Sequence, residues 1–174
     1  MRQLPSRREA SALFRLPPNL GARPANLLDV PRLLELVEAS VAAGCRDHYT
    51  PPQRHAVYLS YVSHLFVDVV SEMETWLIEG EALPLAVAQL DPIRGRLRAL
   101  FVAPARQGQG LGRLLLSGME AMARKRGVHE LHGAMSMNAV SFYQRAGFLR
   151  LGAAEVVPMF GIGVVVQTMR KMLM

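Results

Sequence analysis

Gln107-Gly108-Gln109-Gly110-Leu111-Gly112 lies between a short apolar run, Leu97 to Val102, and a stretch in which Leu111, Leu114, Leu115, Met119 and Met122 recur at helical spacing. The first run reads as a strand closed by Pro104. The second reads as a helix with Gly127 at its C′ position. Glycine at 108, 110 and 112 gives the chain the freedom to curl its N–H groups inward. The helix that follows adds the partial positive charge of its N-terminus, so an anion such as a pyrophosphate is favoured there twice over.

Two phosphate-binding patterns fail on this stretch. No Gly-Lys-Ser/Thr follows it, and Arg113 stands where the pattern begun by Gly108 and Gly110 needs its third glycine. What fits is Gln/Arg-x-x-Gly-x-Gly, through Gln107, Gly110 and Gly112. A second motif, Asn138-Ala-Val-Ser-Phe-Tyr143-Gln-Arg-Ala-Gly147-Phe148, follows a strand-like run from Glu130 to Met135. Asn138 is the expected N-cap and Gly147 the expected C′, which makes a short helix presenting Tyr143.

The paired motifs resemble the GNAT superfamily of acyl-CoA-dependent N-acetyltransferases. The resemblance spans roughly residues 20 to 171 in element order and is densest from 97 to 148. It implies an α/β, GNAT-like fold: a mixed, mostly antiparallel central sheet of roughly six to seven strands flanked by about four helices. It also implies acetyl-CoA as co-substrate, no metal, and the pyrophosphate on Gln107, Gly108, Gln109, Gly110, Leu111 and Gly112. Leu100, Phe101 and Val102 would hold the pantetheine arm and thioester oxygen through main chain, and the Asn138 helix would close over the pantetheine.

The rest of the chain fits that order. Residues 20–25 form a candidate first strand. Val30, Leu33, Leu34, Val37 and Val41 make an amphipathic helix entered near Asp29 and Pro31. Thr50-Pro51-Pro52-Gln53 has the form of a capping box opening a second helix. Thr75–Ile78 and Leu83–Leu90 read as strands around a Gly80 turn, Asp91-Pro92 to Gly95 as the next turn, and 149–157 and 163–171 as closing strands.

At 174 residues, 51% of them apolar, the chain supports one core. Leu65–Val70 and Val156–Val166 are its longest apolar runs, and both are too short for a bilayer. The lone Cys45 forms no internal disulfide and is compatible with a reducing, cytoplasmic setting. Residues 1–18 are expected to be a disordered basic leader and 19–174 a single N-acetyltransferase domain. Of the net charge of +6, residues 1–23 supply +4 (Arg2, Arg7, Arg8, Arg15 and Arg23 against Glu9). The other readings of that leader are a nucleic-acid arm or a presequence.

Residues 68–91 carry −6, through Asp68, Glu72, Glu74, Glu79, Glu81 and Asp91; residues 94–126 carry +7. The basic block surrounds the glycine loop, where Arg106 and Arg113 are candidates to meet phosphate. Arg124, Lys125 and Arg126 instead suit the C-terminal end of their helix. The acidic block suggests a cationic amine acceptor. The inter-helix loop Cys45-Arg46-Asp47-His48-Tyr49 is expected, by resemblance, to border it.

Transfer from a thioester to an amine requires a neutral amine, a polarised carbonyl and a proton for the departing thiolate. Tyr143 is the candidate general acid, since a phenol (pKa ~10) stays protonated at pH 7 beside a thiol (pKa ~8.5). The base is not specified. The strand before the glycine loop offers Arg96 and Arg98 where many family members carry a glutamate. Glu79, Glu81, Asp91, Glu130, His132 or a water relay are the substitutes. The sequence thus reads as an N-acetyltransferase acting on a primary amine of a small molecule or peptide by direct attack, with no membrane partner. The alternatives are a silent acyl-CoA-binding module and, through the leader, a nucleic-acid-binding protein. The valines at 164, 165 and 166 offer a surface for a homodimer.

Overall fold

Alternation of inward-facing side chains along two neighbouring strands divides the molecule into two apolar layers. Trp76, Ile78, Ala86, Ala88 and Leu90 face one side of the sheet, and Leu77 and Val87 face the other. Both sides are covered, which is why these strands read as near-continuous apolar runs. The computed structural model describes residues 12–70, 73–81 and 83–174.

The strands are β1 (Gly21–Pro24), β2 (Glu74–Gly80), β3 (Leu83–Asp91), β4 (Arg96–Val102), β5 (Glu130–Ser136), β6 (Leu149–Arg150), β7 (Glu155–Met159) and β8 (Ile162–Met172). Around the sheet lie the α-helices α1 (Val30–Gly44), α2 (Pro51–Val70), α3 (Leu111–Lys125) and α4 (Val140–Arg145). Together the strands form one 8-stranded sheet in the order β1-β2-β3-β4-β5-β8-β6, with β7 also on β8. Every pairing is antiparallel except β4 with β5. Helices α3 and α4 pack on the Trp76 side, α1 and α2 on the Leu77 side.

Local chemistry sets the boundaries. At the start of α2, the Thr50 N–H and hydroxyl both donate to Gln53 Oε1, at 3.0 and 3.1 Å, so half of the expected capping box forms. Helix α3 ends with Gly127 at φ 74°, its N–H donating to Arg124 O while the Val128 N–H donates to Ala123 O. Gly147 closes α4 in the same way. The closing strand expected over 149–157 is split into β6 and β7 around Gly152, whose φ of 67° does not continue a strand. That split takes the sheet to eight strands.

Residues 1–11 of the expected leader lie outside the described residues. Residues 12–18, assigned from sequence to its end, include Phe14, which is fully buried and stacked on Trp76 at 5.3 Å. Gly118 on α3 makes room for it, because a Cβ there would fall 2.0 Å from the Phe14 ring. Val164 and Val166 face the core, which removes most of the valine surface offered for a homodimer. Among the described residues no helix is long and apolar enough to cross a membrane, and no cluster of three metal-ligating side chains is found.

The feature that positions the site is where the sheet comes apart. Strands β4 and β5 are in register at one pair only, Arg96 with His132. There Gly133 lets the backbones touch: a Cβ on it would lie 2.6 Å from the Leu97 carbonyl oxygen. The pairing of β3 with β4 then skips Arg98, since Gln89 faces Ala99 and Leu90 faces Leu97. This extra residue bends β4 just as it leaves β5. The two strands diverge and open a wedge.

Candidate active site

That wedge is a cleft of about 570 Å³. Its outer end is exposed and carries the glycine loop. Its inner end carries the buried Tyr143, Val57 and Cys45 and the half-buried Tyr61 and Phe101.

At the outer end the main chain does the work. Gly108 and Gly110 adopt φ of 75° and 84°, and a Cβ on either would meet nothing within 4 Å. The demand for glycine there is conformational, not a matter of space. Gln107 and Gln109 brace the loop from inside, their side-chain amides donating to Val102 O (3.2 Å) and Ala105 O (3.1 Å). Gly110 is the N-cap of α3 and offers no side-chain cap, while its carbonyl accepts from the Leu114 N–H at 3.0 Å. The N–H groups of Leu111, Gly112 and Arg113 therefore have no partner within the helix. Arg106, Arg113 and Arg145 line the same end, which makes it a positively charged cradle.

The β4 edge supplies hydrogen-bonding groups along the cleft. The Ala103 N–H donates to Leu85 O on β3 at 2.8 Å. By strand alternation the Phe101 N–H points the same way, toward β3, while the main-chain groups of Leu100 and Val102 turn to the open edge. The Val102 carbonyl is reached there by Gln107. Phe101 thus departs from its expected main-chain role. Its ring lines the cleft instead, edge-on to Tyr61 at 4.7 Å and 86°.

Asn138 also departs from expectation. It lies inside a 3-10 turn, Met137–Ala139, and Ala139 is the N-cap of α4, without a side-chain cap. The Asn138 Oδ1 accepts instead from the Cys45 thiol at 3.4 Å, tying α4 to the end of α1 across the cleft.

Tyr143 is where the motif placed it. It is buried between the edges of Phe142 (5.0 Å) and Phe148 (5.2 Å), and its hydroxyl has no hydrogen-bond partner among the described residues. Burial drives its pKa far above the ordinary phenol value, and Tyr61 adds to the shift. Tyr61 itself is pushed up to about 12, first by burial and then by Cys45 and Tyr49, against the pull of Arg98 and Arg96. The Cys45 thiol rises to about 11 by burial, opposed by Arg54.

The expected acceptor-side loop is divided. Cys45 lines the cleft; Arg46, Asp47 and His48 are exposed. Tyr49 is a structural bracket, its hydroxyl donating to Val165 O (2.6 Å) and accepting from the Met137 N–H (2.8 Å).

None of the substitute bases lines the cleft. Glu79 pairs with Arg23 at 2.9 Å, Asp91 caps its own turn through the Ile93 and Arg94 N–H groups, and Glu130 faces Arg170 at 3.7 Å. Glu81 is exposed, and His132 sits at the closed end of the wedge, in register with Arg96. Glu74 is buried as the partner of Arg126 and acceptor of the Trp76 indole N–H at 3.0 Å. The Asp68 side chain and Glu72 lie outside the described residues. Glu74, Glu79 and Asp91 of the acidic block are thus spent on folding, and so are Arg124 and Arg126, paired to Glu120 and Glu74.

Sequence reading missed Tyr61 and Arg145 as cleft residues. Tyr61 stands one helical turn from Val57 on α2, a spacing that any amphipathic helix shows. Arg145 lay inside the second motif, and its spacing to Tyr143 carried no separate signal.

The acetyltransferase (GNAT) domain model matches residues 65–173. The chain therefore belongs to the GNAT acetyltransferases, enzymes that use acetyl-CoA as the acetyl donor. A GCN5-related N-acetyltransferase from Rhodopseudomonas palustris is 25% identical, with a TM-score of 0.80 over 87% of this chain and 94% of its own. The PaiA N-acetyltransferase of Thermoplasma acidophilum, solved with coenzyme A, is 19% identical, with a TM-score of 0.71 over 88% and 98%. YncA of Salmonella typhimurium, a putative acetyltransferase solved with acetyl-CoA, is 22% identical, with a TM-score of 0.59 over 90% and 95%. No curated protein matches the chain.

Proposed function

We propose that the enzyme transfers the acetyl group of acetyl-CoA to a primary amine by direct attack, with Tyr143 as the proton donor to the departing thiolate. The pyrophosphate would rest on the Gly108–Gly112 loop and the first turn of α3, beside Arg106 and Arg113. The pantetheine arm would run along the open edge of β4 at Leu100 and Val102, under α4. Asn138 holds the wall of that channel through Cys45.

The observation that carries this reading is a buried phenol with no hydrogen-bond partner among the described residues, in the same cleft as an uncapped helix N-terminus. A buried hydroxyl without a partner costs about 1–3 kcal/mol, so a ligand that accepts its hydrogen bond is strongly favoured there. The raised pKa keeps Tyr143 protonated at any working pH. It would also weaken Tyr143 as an acid, but a thiolate formed in the same dry cleft rises in pKa for the same reason. The amine nitrogen bonds to the carbonyl carbon, the C–S bond breaks toward sulfur, the thiolate takes the phenol proton, and the surplus nitrogen proton leaves to water, which returns one to the phenolate.

Tyr143→Phe is expected to lower kcat about a hundredfold, within the range of a lost general acid, and to leave the Kd for acetyl-CoA within about twofold. Unchanged kcat in a variant that folds and binds acetyl-CoA would remove Tyr143 from the mechanism.

A further inference from the structure

We infer that the acceptor is a weakly basic primary amine, of the kind presented by an α-amino group next to an amide, which enters the inner end of the cleft already neutral. This rests on the transferase reading above and narrows it to a substrate class.

No carboxylate among the described residues lines the inner end, so an ammonium would find no counter-charge there. Its described walls are Val57 and Tyr61 from α2, Phe101 from β4, Cys45 from the end of α1 and Tyr143 from α4. The charged groups whose fields reach it are Arg96 and Arg98, acting on Tyr61, and Arg54, acting on Cys45. Tyr49, the remaining titratable neighbour of Tyr61, is neutral, its pKa raised chiefly by burial. Among the described residues the inner end is thus lined by neutral groups, and no carboxylate faces it.

No described group there can take the amine's proton at neutral pH either. The Cys45 thiol and both phenols hold their own protons well above pH 7. Of the carboxylates the sequence offered as bases, Glu79, Asp91 and Glu130 are engaged with Arg23, Arg94 and Arg170, and Glu81 is exposed; none lines the cleft. The amine must therefore shed its proton to water before it enters. At pH 7 a lysine-type amine (pKa ~10.4) is less than about a thousandth neutral, whereas a peptide α-amino group (pKa ~8) is about a tenth neutral. The neutral amine's lone pair forms the N–C bond, the C–S bond breaks, and the surplus nitrogen proton leaves to water.

The test uses the full-length enzyme with acetyl-CoA and three acceptors: alaninamide, trialanine amide and Nα-acetyl-lysine amide, each followed from pH 6.5 to 9.5. At pH 7 at least one α-amino acceptor should show kcat/KM about tenfold or more above the lysine compound. The pKa difference alone gives about two hundredfold, part of which the more nucleophilic lysine amine recovers. The gap should narrow as pH rises, and the break in each profile should follow the pKa of that amine. Preference between alaninamide and trialanine amide then separates a small amide from a peptide N-terminus as the source of the amine.

A lysine amine that matches or beats the α-amino acceptors at pH 7 would overturn this inference and leave the transferase intact. So would one common break for all three amines, which would reveal a base on the enzyme. Transfer to none of them, with acetyl-CoA binding shown by calorimetry, would overturn the transferase reading and this inference together.

Discussion

The two ends of the cleft are made of different material. The outer end is main chain: Gly108, Gly110 and the free N–H groups at the start of α3, with exposed arginines around them. The inner end is side chain: a buried and a half-buried phenol, a thiol and apolar groups contributed by four separate elements. A main-chain site depends on backbone angles, which glycine spacing announces. A side-chain site depends on packing between distant segments, which no short stretch announces. The acidic block shows the hazard: its charges are conspicuous in sequence, and in the structure Glu74, Glu79 and Asp91 hold the fold.

The largest effect follows from that last point. Glu74→Ala leaves Arg126 and the Trp76 indole without their partner and should cost about 3–5 kcal/mol, read by denaturant unfolding. At a temperature where the variant is folded, KM for both substrates should stay within about twofold. A selective rise in acceptor KM would put the acidic block back in the acceptor site and break the comparison.

Gly133→Val tests the point where the two ends are hinged together. Its Cβ would press on the Leu97 carbonyl, at a cost of about 1–3 kcal/mol. Forcing β4 and β5 apart there should lower kcat/KM with little change in helix content by circular dichroism. Retained full activity would mean that the closed end of the wedge does not set the site's geometry.

The smallest effect belongs to the exposed arginines. Arg113→Ala should raise KM for acetyl-CoA only two- to threefold at low salt, and added salt should erase the difference. A larger, salt-insensitive loss would mean that a side chain, not the main chain, dominates the outer end.

The same contrast explains what sequence could and could not reveal. The β4–loop–α3 unit was legible because Pro104, Gly110 and Gly127 each mark a backbone event, and all three fall where expected. Tyr143 was legible because Gly147 and Phe148 locate its helix. The capping position of Asn138 was misread because a 3-10 turn moves the cap by one residue, to Ala139, a difference no composition encodes. Phe101 was misread because its strand partner, β3, decides which way its N–H points. Tyr61 went unnoticed because a tyrosine on a helix shows its neighbours only after the helix packs.

The most direct test is to measure kcat and the Kd for acetyl-CoA in two variants side by side, Gly110→Ala and Tyr143→Phe. A side chain at φ 84° costs about 1–2 kcal/mol or forces the loop to re-fold, so Gly110→Ala should weaken acetyl-CoA binding about tenfold or more. Its kcat at saturating acetyl-CoA should stay within about threefold, while Tyr143→Phe should show the reverse pattern. If both variants lose binding and turnover in equal measure, or the two patterns are exchanged, the division of the cleft into a main-chain binding end and a side-chain chemical end is wrong.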